Sequence, residues 1–157
     1  MLNNVAHLIH LIGFAAYLGA GFAQQQFMKS SARPGLTPSV RDAYEQLSAL
    51  IATKIELPAL MAQLLSGILF IVTNPGWMKM GWLHAKLLAV LVLLVLSHVE
   101  MFNARSIARL RAERGDAGDA GNSREQEIAA RKKRHALLGS IGGLALLAVI
   151  GLVEFGR

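Results

Sequence analysis

The chain contains no cysteine. That excludes disulfides, thiolate zinc sites, iron–sulfur clusters and cysteine nucleophiles together. Any metal or haem must therefore be held by His, Met, Lys or carboxylates. Charge is scarce too. Of 157 residues, 17% are charged and 54% are hydrophobic, and the mean hydropathy is +0.43. Such a composition suits a chain whose solvent is largely lipid. No Lys or Arg precedes the first apolar run, and His7 and His10 lie inside it. A cleaved signal peptide has a different pattern, so the run is read as a retained first helix. There is no interleaving of aromatic and basic residues of the kind that reads nucleic acid, and no internal repeat, so the net charge of +6 is not taken as a nucleic-acid footprint.

What the sequence does contain is four long apolar runs. They predict spans over about 5–28, 47–73, 80–103 and 135–154. At 1.5 Å per residue each covers roughly 27–35 Å, enough for a ~30 Å hydrocarbon core. In lipid, runs of this length must be helical to satisfy their own backbone. The expected fold is all-α: a four-helix integral membrane bundle forming one domain.

The connections carry clear punctuation. Ser30–Pro38 reads as a loop, with Thr37 and Pro38 as N-cap and first residue of the second helix. Asn74-Pro75-Gly76 reads as a tight turn. Residues 115–122 read as a flexible linker, and Ser123 with Gln126 as a capping box opening the last helix near Arg124. Pro58 is expected to free a carbonyl near position 54 and kink the second helix. Twelve basic residues (Lys29, Arg33, Arg41, Arg105, Arg109, Arg111, Arg114, Arg124, Arg131, Lys132, Lys133, Arg134) fall on one side of the bilayer, against Lys79 and Arg157 on the other. The positive-inside rule then predicts both termini outside and a basic helical hairpin between the third and fourth helices in the cytoplasm, in a bacterial-type inner (plasma) membrane.

Ionisable residues inside a span are costly and so are functional candidates. They fall in two layers: His7, His10, His84 and Lys86 toward the outer side, and Lys54, Glu56, His98 and Glu100 toward the inner side. On the third helix His84 and His98 are fourteen residues apart, differ by about 40° and lie about 21 Å apart along the axis. Lys86 and Glu100 point the opposite way. Two histidines on one face, one per leaflet, match the spacing of two stacked haems, for which neutral imidazole is the common axial ligand. His10 lies at the depth of His84 and Lys86. Against this stand plainer readings: His7 as a solvated helix end, His84 as an interfacial residue beside Trp82, and Lys86 and Lys54 snorkelling to the surface. His135 reads as a solvated interface residue, and Gln24-Gln25-Gln26 as interfacial. The fourth helix carries no charged residue over 136–153 and reads as structural. Its Gly139 and Gly143 suggest close helix packing, within the chain or in a homodimer.

Several of these residues also form a recognisable pattern. His10 is followed by Tyr17-Leu18-Gly19. Pro58-Ala59 is followed by Gly67. The third helix carries Trp82-Leu83-His84-Ala85-Lys86-Leu87 and then His98. Over about the first 105 residues this resembles the small four-helix proteins related to HemJ-type protoporphyrinogen IX oxidase and, more distantly, the copper-resistance D membrane domain. Gln24-Gln25-Gln26-Phe27 stands where that superfamily has Pro-Arg and a histidine, Ser97 where it has a tyrosine, and Arg131-Lys132-Lys133-Arg134 where it has Asn-Glu-x-Pro. The chain thus resembles a divergent member. The resemblance implies haem b or porphyrin handling, with roles for His10 and Lys86 and with His98 matching the far histidine.

Together these readings lead to a small membrane haem-b or porphyrin-handling redox protein which, if an enzyme, is an oxidoreductase acting on a tetrapyrrole or quinone. His10, His84, Lys86 and His98 are its cofactor-binding candidates, Lys86 and His98 its catalytic ones, and His10, His84 and His98 its metal ligands. Two alternatives stay open. One is a non-enzymatic subunit of a larger membrane complex, with the basic hairpin docking an acidic partner. The other is copper transport or tolerance through His7, His10, His84 and methionine.

Overall fold

The computed structural model describes residues 2–113 and 118–155, with side chains described over 4–113 and 123–151. Helix α1 spans Leu2–Ser30. A second long helix runs as α2 (Pro38–Ile51), a π-helical turn (Ala52–Glu56) and α3 (Leu57–Thr73). After a 3-10 turn over Pro75–Lys79 come α4 (Gly81–Ala112) and α5 (Gly118–Phe155). The chain passes up, down, up and down. One end of the bundle carries the α1–α2 loop and the α4–α5 connection (the hairpin end); the other carries both termini (the terminal end).

Periodicity decides which face of each helix is covered. On α1 the buried stripe is Ala6, Gly13, Tyr17, Ala20, Gln24 and Met28, spaced three, four or seven apart as a single helix face requires. The opposite face holds Leu8, Ile12 and Phe22, all about half exposed or more. In water such a surface would aggregate; in hydrocarbon it is the matching solvent. Helix α1 ends where Ser31 N–H donates to Phe27 O (2.9 Å) and the Ser31 hydroxyl to Met28 O (2.7 Å). The loop then turns at Gly35, whose φ of +81° suits a residue without Cβ. Thr37 is the N-cap of α2 and Pro38 its first residue, as expected, although the Thr37 side chain makes no capping bond.

Pro58 has no N–H to give to Lys54 O. The helix absorbs the missing bond by widening rather than by a simple kink: Leu57 N–H reaches back five residues to Ala52 O, a π-type bond. This turn carries Glu56 into the interior and leaves Lys54 exposed.

The expected start of the last helix near Arg124 is corrected. Helix α5 already includes Gly118–Asn122, so these residues are not flexible linker; 115–117 lie outside the described residues. Two adjacent antiparallel helices gain contacts with each added turn, and that gain overrides the poor helix propensity of the glycines.

Helix α1 packs along α2 and α3, and α4 along α5. The two pairs are joined chiefly by α2 and the π turn against α4, while α3 and α4 barely meet. At the hairpin end a buried ionic cluster locks the pairs. The Arg111 guanidinium donates to both oxygens of Glu45 (3.0 and 3.2 Å), lies 3.3 Å from Asp42 and also bonds Glu125. Lys132 lies 2.6 Å from Glu45. Glu45 is fully buried, and α2, α4 and α5 converge on it. Below it Met28, Ile107 and Ile128 form an apolar plug from α1, α4 and α5.

Removing one partner of a buried ion cluster leaves uncompensated charge. Arg111→Ala is therefore expected to destabilise the protein by about 3 kcal/mol or more, read as a lower unfolding midpoint in mixed detergent–SDS titration. Arg109→Ala, which removes only the exposed Arg109–Glu113 pair, should leave the midpoint unchanged.

Candidate functional site

Between the two ends the bundle interior holds two polar layers. The first lies nearer the terminal end. Gly13 lets α1 approach α3 closely: a Cβ there would sit 3.1 Å from Ala59 O and 3.2 Å from Gln63 N. One turn away, that approach lets His10 Nδ1 reach Gln63 O (3.1 Å) and the Ser66 hydroxyl (2.9 Å). Ser66 in turn donates to Gln63 O (2.9 Å). Phe70 meets the edges of both the His10 and His7 rings. His10 Nδ1 is thus committed, and among the described residues Nε2 is left unengaged, the orientation that fixes a tautomer in ligating histidines. Lys86 is half-buried on α4 and close enough for its charge to act on the His10 ring.

The second layer lies toward the hairpin end. Here α1 presents Tyr17, Gln24 and Gln25; the π turn presents Glu56; α4 presents Ser97 and Glu100; and α5 presents His135. The Tyr17 and Ser97 hydroxyls are 2.9 Å apart. The Glu56 carboxylate also lies against Ser97 and close enough to Glu100 for the two charges to interact. Gln25 Nε2 donates to Glu100 Oε1 (3.1 Å). Gln24 and His135 meet at 3.2 Å through Nε2 of each. Glu56, Glu100, Gln24 and His135 are 3%, 8%, 1% and 0% exposed, so this polar cluster is shut off from the surface. Among the described residues no Lys or Arg pairs with either carboxylate.

The candidates from sequence divide accordingly. Lys86 turns inward on α4, near enough to His10 for its charge to be felt at the ring. His84 is exposed, with Nδ1 on Met80 O (3.2 Å), and does not join them. His98 is half-buried and turned to Leu94 O of its own helix (2.8 Å), which also leaves its Nε2 open. His7 is exposed at its helix end. The inward face of α4 is not the His84/His98 face but the opposite one, with Lys86 and Glu100. Among the described residues no group of three or more His, Asp and Glu is arranged to hold a metal ion.

Three readings are corrected. His135 is wholly buried and bonded to Gln24 rather than solvated, so the start of the fourth span carries polar chemistry. Gln24 and Gln25 are interior side chains; of the three glutamines only Gln26 is exposed. Within the chain Gly139 admits a side chain rather than a neighbouring backbone: a Cβ there would overlap the end of the Gln25 side chain, while a Cβ on Gly143 would meet nothing within 4 Å. Glycine at 139 makes room for the glutamine that holds Glu100.

Four helices are long and apolar enough to cross a membrane: Asn4–Ser30, Pro38–Thr73, Gly81–Ala112 and Ser123–Gly151. With ionisable side chains turned inward between them, they define a multi-pass integral membrane protein. Residues 4–154 match the family described as "Predicted integral membrane protein (DUF2269)", and the chain belongs to that family. No curated protein and no solved structure matches it.

The end of a glutamine can swing aside, so Gly139→Ala should cost only the displaced Gln25–Glu100 bond, about 1–3 kcal/mol. Gly143→Ala should cost nothing. In the Gln25→Ala background the Gly139→Ala penalty should vanish, and a double-mutant cycle of unfolding midpoints checks this.

Proposed function

We propose that this protein is a small b-type haem or porphyrin-handling redox protein of the membrane, with His10 as axial ligand and Lys86 as its partner from α4. The observation that supports this is His10 itself: an imidazole inside the bilayer whose Nδ1 is held by Gln63 O and Ser66 and whose Nε2 makes no hydrogen bond among the described residues. An intramembrane imidazole is expensive unless it serves a purpose, and this one is braced as ligating histidines are. The donor set fits a haem: one neutral imidazole, and one Lys side chain that would pair with a propionate as an ammonium or bind the iron as a neutral amine. Haem, when bound, would supply one-electron redox chemistry. The chain's own part is to fix the His10 ring through α3, to hold a positive charge beside it on α4, and to keep water away with the surrounding apolar faces. His98, with its Nε2 open, would serve as a second ligand or proton acceptor.

The twelve-to-two distribution of Lys and Arg supports a topology with both termini outside and the hairpin end, with its ionic cluster, in the cytoplasm of a plasma membrane.

The protein purified in detergent should show a Soret band and, after dithionite, a sharp α band, with pyridine haemochrome giving haem b. His10→Ala should abolish the absorbance, Lys86→Ala should shift it, and His84→Ala should leave it unchanged. A protein that stays colourless after expression with added haem precursor would sink the haem reading.

A further inference from the structure

The basic residues of the hairpin end are not all answered by carboxylates. Arg111 and Lys132 have theirs in the ionic cluster, Arg109 pairs with Glu113 and Arg131 with Glu127. Five others, Lys29, Lys54, Arg105, Lys133 and Arg134, are exposed. Among the described residues no carboxylate lies within ion-pairing distance of any of them. Arg33 and Arg41 are likewise unpaired among the described residues but lie farther out, on the loop and the first turn of α2.

Contacts between helices put the five at one level. Thr53 meets Arg105, Asn103 meets Arg131 and Gln24 meets His135. At 1.5 Å per residue, the five positions then fall within roughly 8 Å along the bundle axis. They come from α1, the π turn, α4 and α5, so the charge is spread around the bundle rather than gathered on one side. Just below this level, toward the terminal end, the same surfaces turn apolar. Ile55 follows Lys54, Phe102 lies one turn from Arg105 and Leu137 one turn from Lys133; they are 46%, 60% and 61% exposed. Cation above and hydrocarbon below complements a phospholipid, whose phosphate sits above its acyl chains.

At one point this belt is built rather than merely charged. Arg105 Nε donates to the Thr53 hydroxyl (3.2 Å), and that hydroxyl donates to Ala49 O (2.7 Å). The Arg105 side chain is thereby held across the seam between α4 and the π turn, and among the described residues its two terminal nitrogens make no hydrogen bond. The π turn, which carries Glu56 inward, sends Lys54, the residue after Thr53, outward. A guanidinium with its outer nitrogens open suits a phosphate bidentately, and an ammonium adds a point charge.

We propose that Arg105 and Lys54 form a binding site for the head group of an anionic phospholipid, whose acyl chains lie against Phe102 and Ile55. Lys29, Lys133 and Arg134 draw further anionic lipids around the same level. An acidic protein partner would call for a one-sided patch; lipid surrounds the bundle, as the belt does. Each basic residue near the surface adds to such attraction, which fades within a Debye length. The site does not depend on haem.

The test is native mass spectrometry of the full chain in neutral detergent, titrated with phosphatidylglycerol or with phosphatidylcholine of the same acyl chains. The first phosphatidylglycerol should bind more tightly than the first phosphatidylcholine. Arg105→Gln and Lys54→Gln should each weaken phosphatidylglycerol binding by up to about fivefold and leave phosphatidylcholine binding as it was. Thr53→Val, which removes no charge but frees Arg105, should weaken it too, with helicity by circular dichroism unchanged. Arg109→Gln, whose wild-type side chain is already paired, should not. Glycerol 3-phosphate, a phosphate ester without acyl chains, should not displace the lipid at equal concentration. Equal binding of the two lipids would overturn the proposal and leave an acidic protein as the partner of this surface. Binding indifferent to both glutamine variants would overturn it as well. Displacement by glycerol 3-phosphate would replace the lipid with a soluble phosphate ester, and unchanged binding in Thr53→Val would overturn the placing of the site at this seam.

Discussion

Hydrocarbon offers no hydrogen bonds, so every polar group carried into it must be answered by another part of the same protein. That constraint organises this bundle more than apolar packing does. The backbones of α1 and α4 do not come close to one another; the two helices are linked by side chains that reach across, Tyr17 to Ser97 and Gln25 to Glu100. Likewise Gln24 ties α1 to α5, and His10 ties it to α3. Helix α1 is the hub because its interior stripe alternates small residues with long polar ones. Gly13 and Ala20 allow approach on one side, and Tyr17 and Gln24 span the gap on the other.

The ends of the bundle solve the same problem differently. Toward the head groups, charge is tolerated if paired, and Arg111 serves three carboxylates at once. Deeper in, among the described residues, long cations are absent from the carboxylate layer and its polar groups are mostly neutral amides and hydroxyls. The acidic groups that enter it are Glu56, delivered by the π turn, and Glu100.

The number of helices and their order were legible in the sequence, because an apolar run of that length has one stable conformation in lipid. So was the presence of ionisable residues within the spans, of which Glu56 and Glu100 are buried. What was not legible was rotation. Every face of these helices is apolar enough for lipid, so hydropathy does not say which face turns inward. The common face of His84 and His98 looked inviting, yet it was Lys86 and Glu100, also fourteen apart, that turned in. Gln24, Gln25 and His135 sit beside charged stretches and so read as interfacial; only the packing of α5 across α1 reveals them as interior. A signal was present all the same: Tyr17 and Gln24 are seven apart on one face of α1, and Glu56 and Glu100 are acidic residues inside apolar runs where an unneeded carboxylate would not persist.

The loose seam between α3 and α4 has a consequence of its own. The space around His10 and Lys86 is bounded by two helices that share few contacts, so parting them there sacrifices little packing, whereas the ionic cluster keeps the far end shut. For the tetrapyrrole proposed above, access to that layer would be lateral. A molecule arriving at it would first have dissolved among the acyl chains, and its encounter rate would be governed by its concentration in the bilayer rather than in the aqueous phase. Partitioning would then act as the first filter of selectivity, before any side chain is touched.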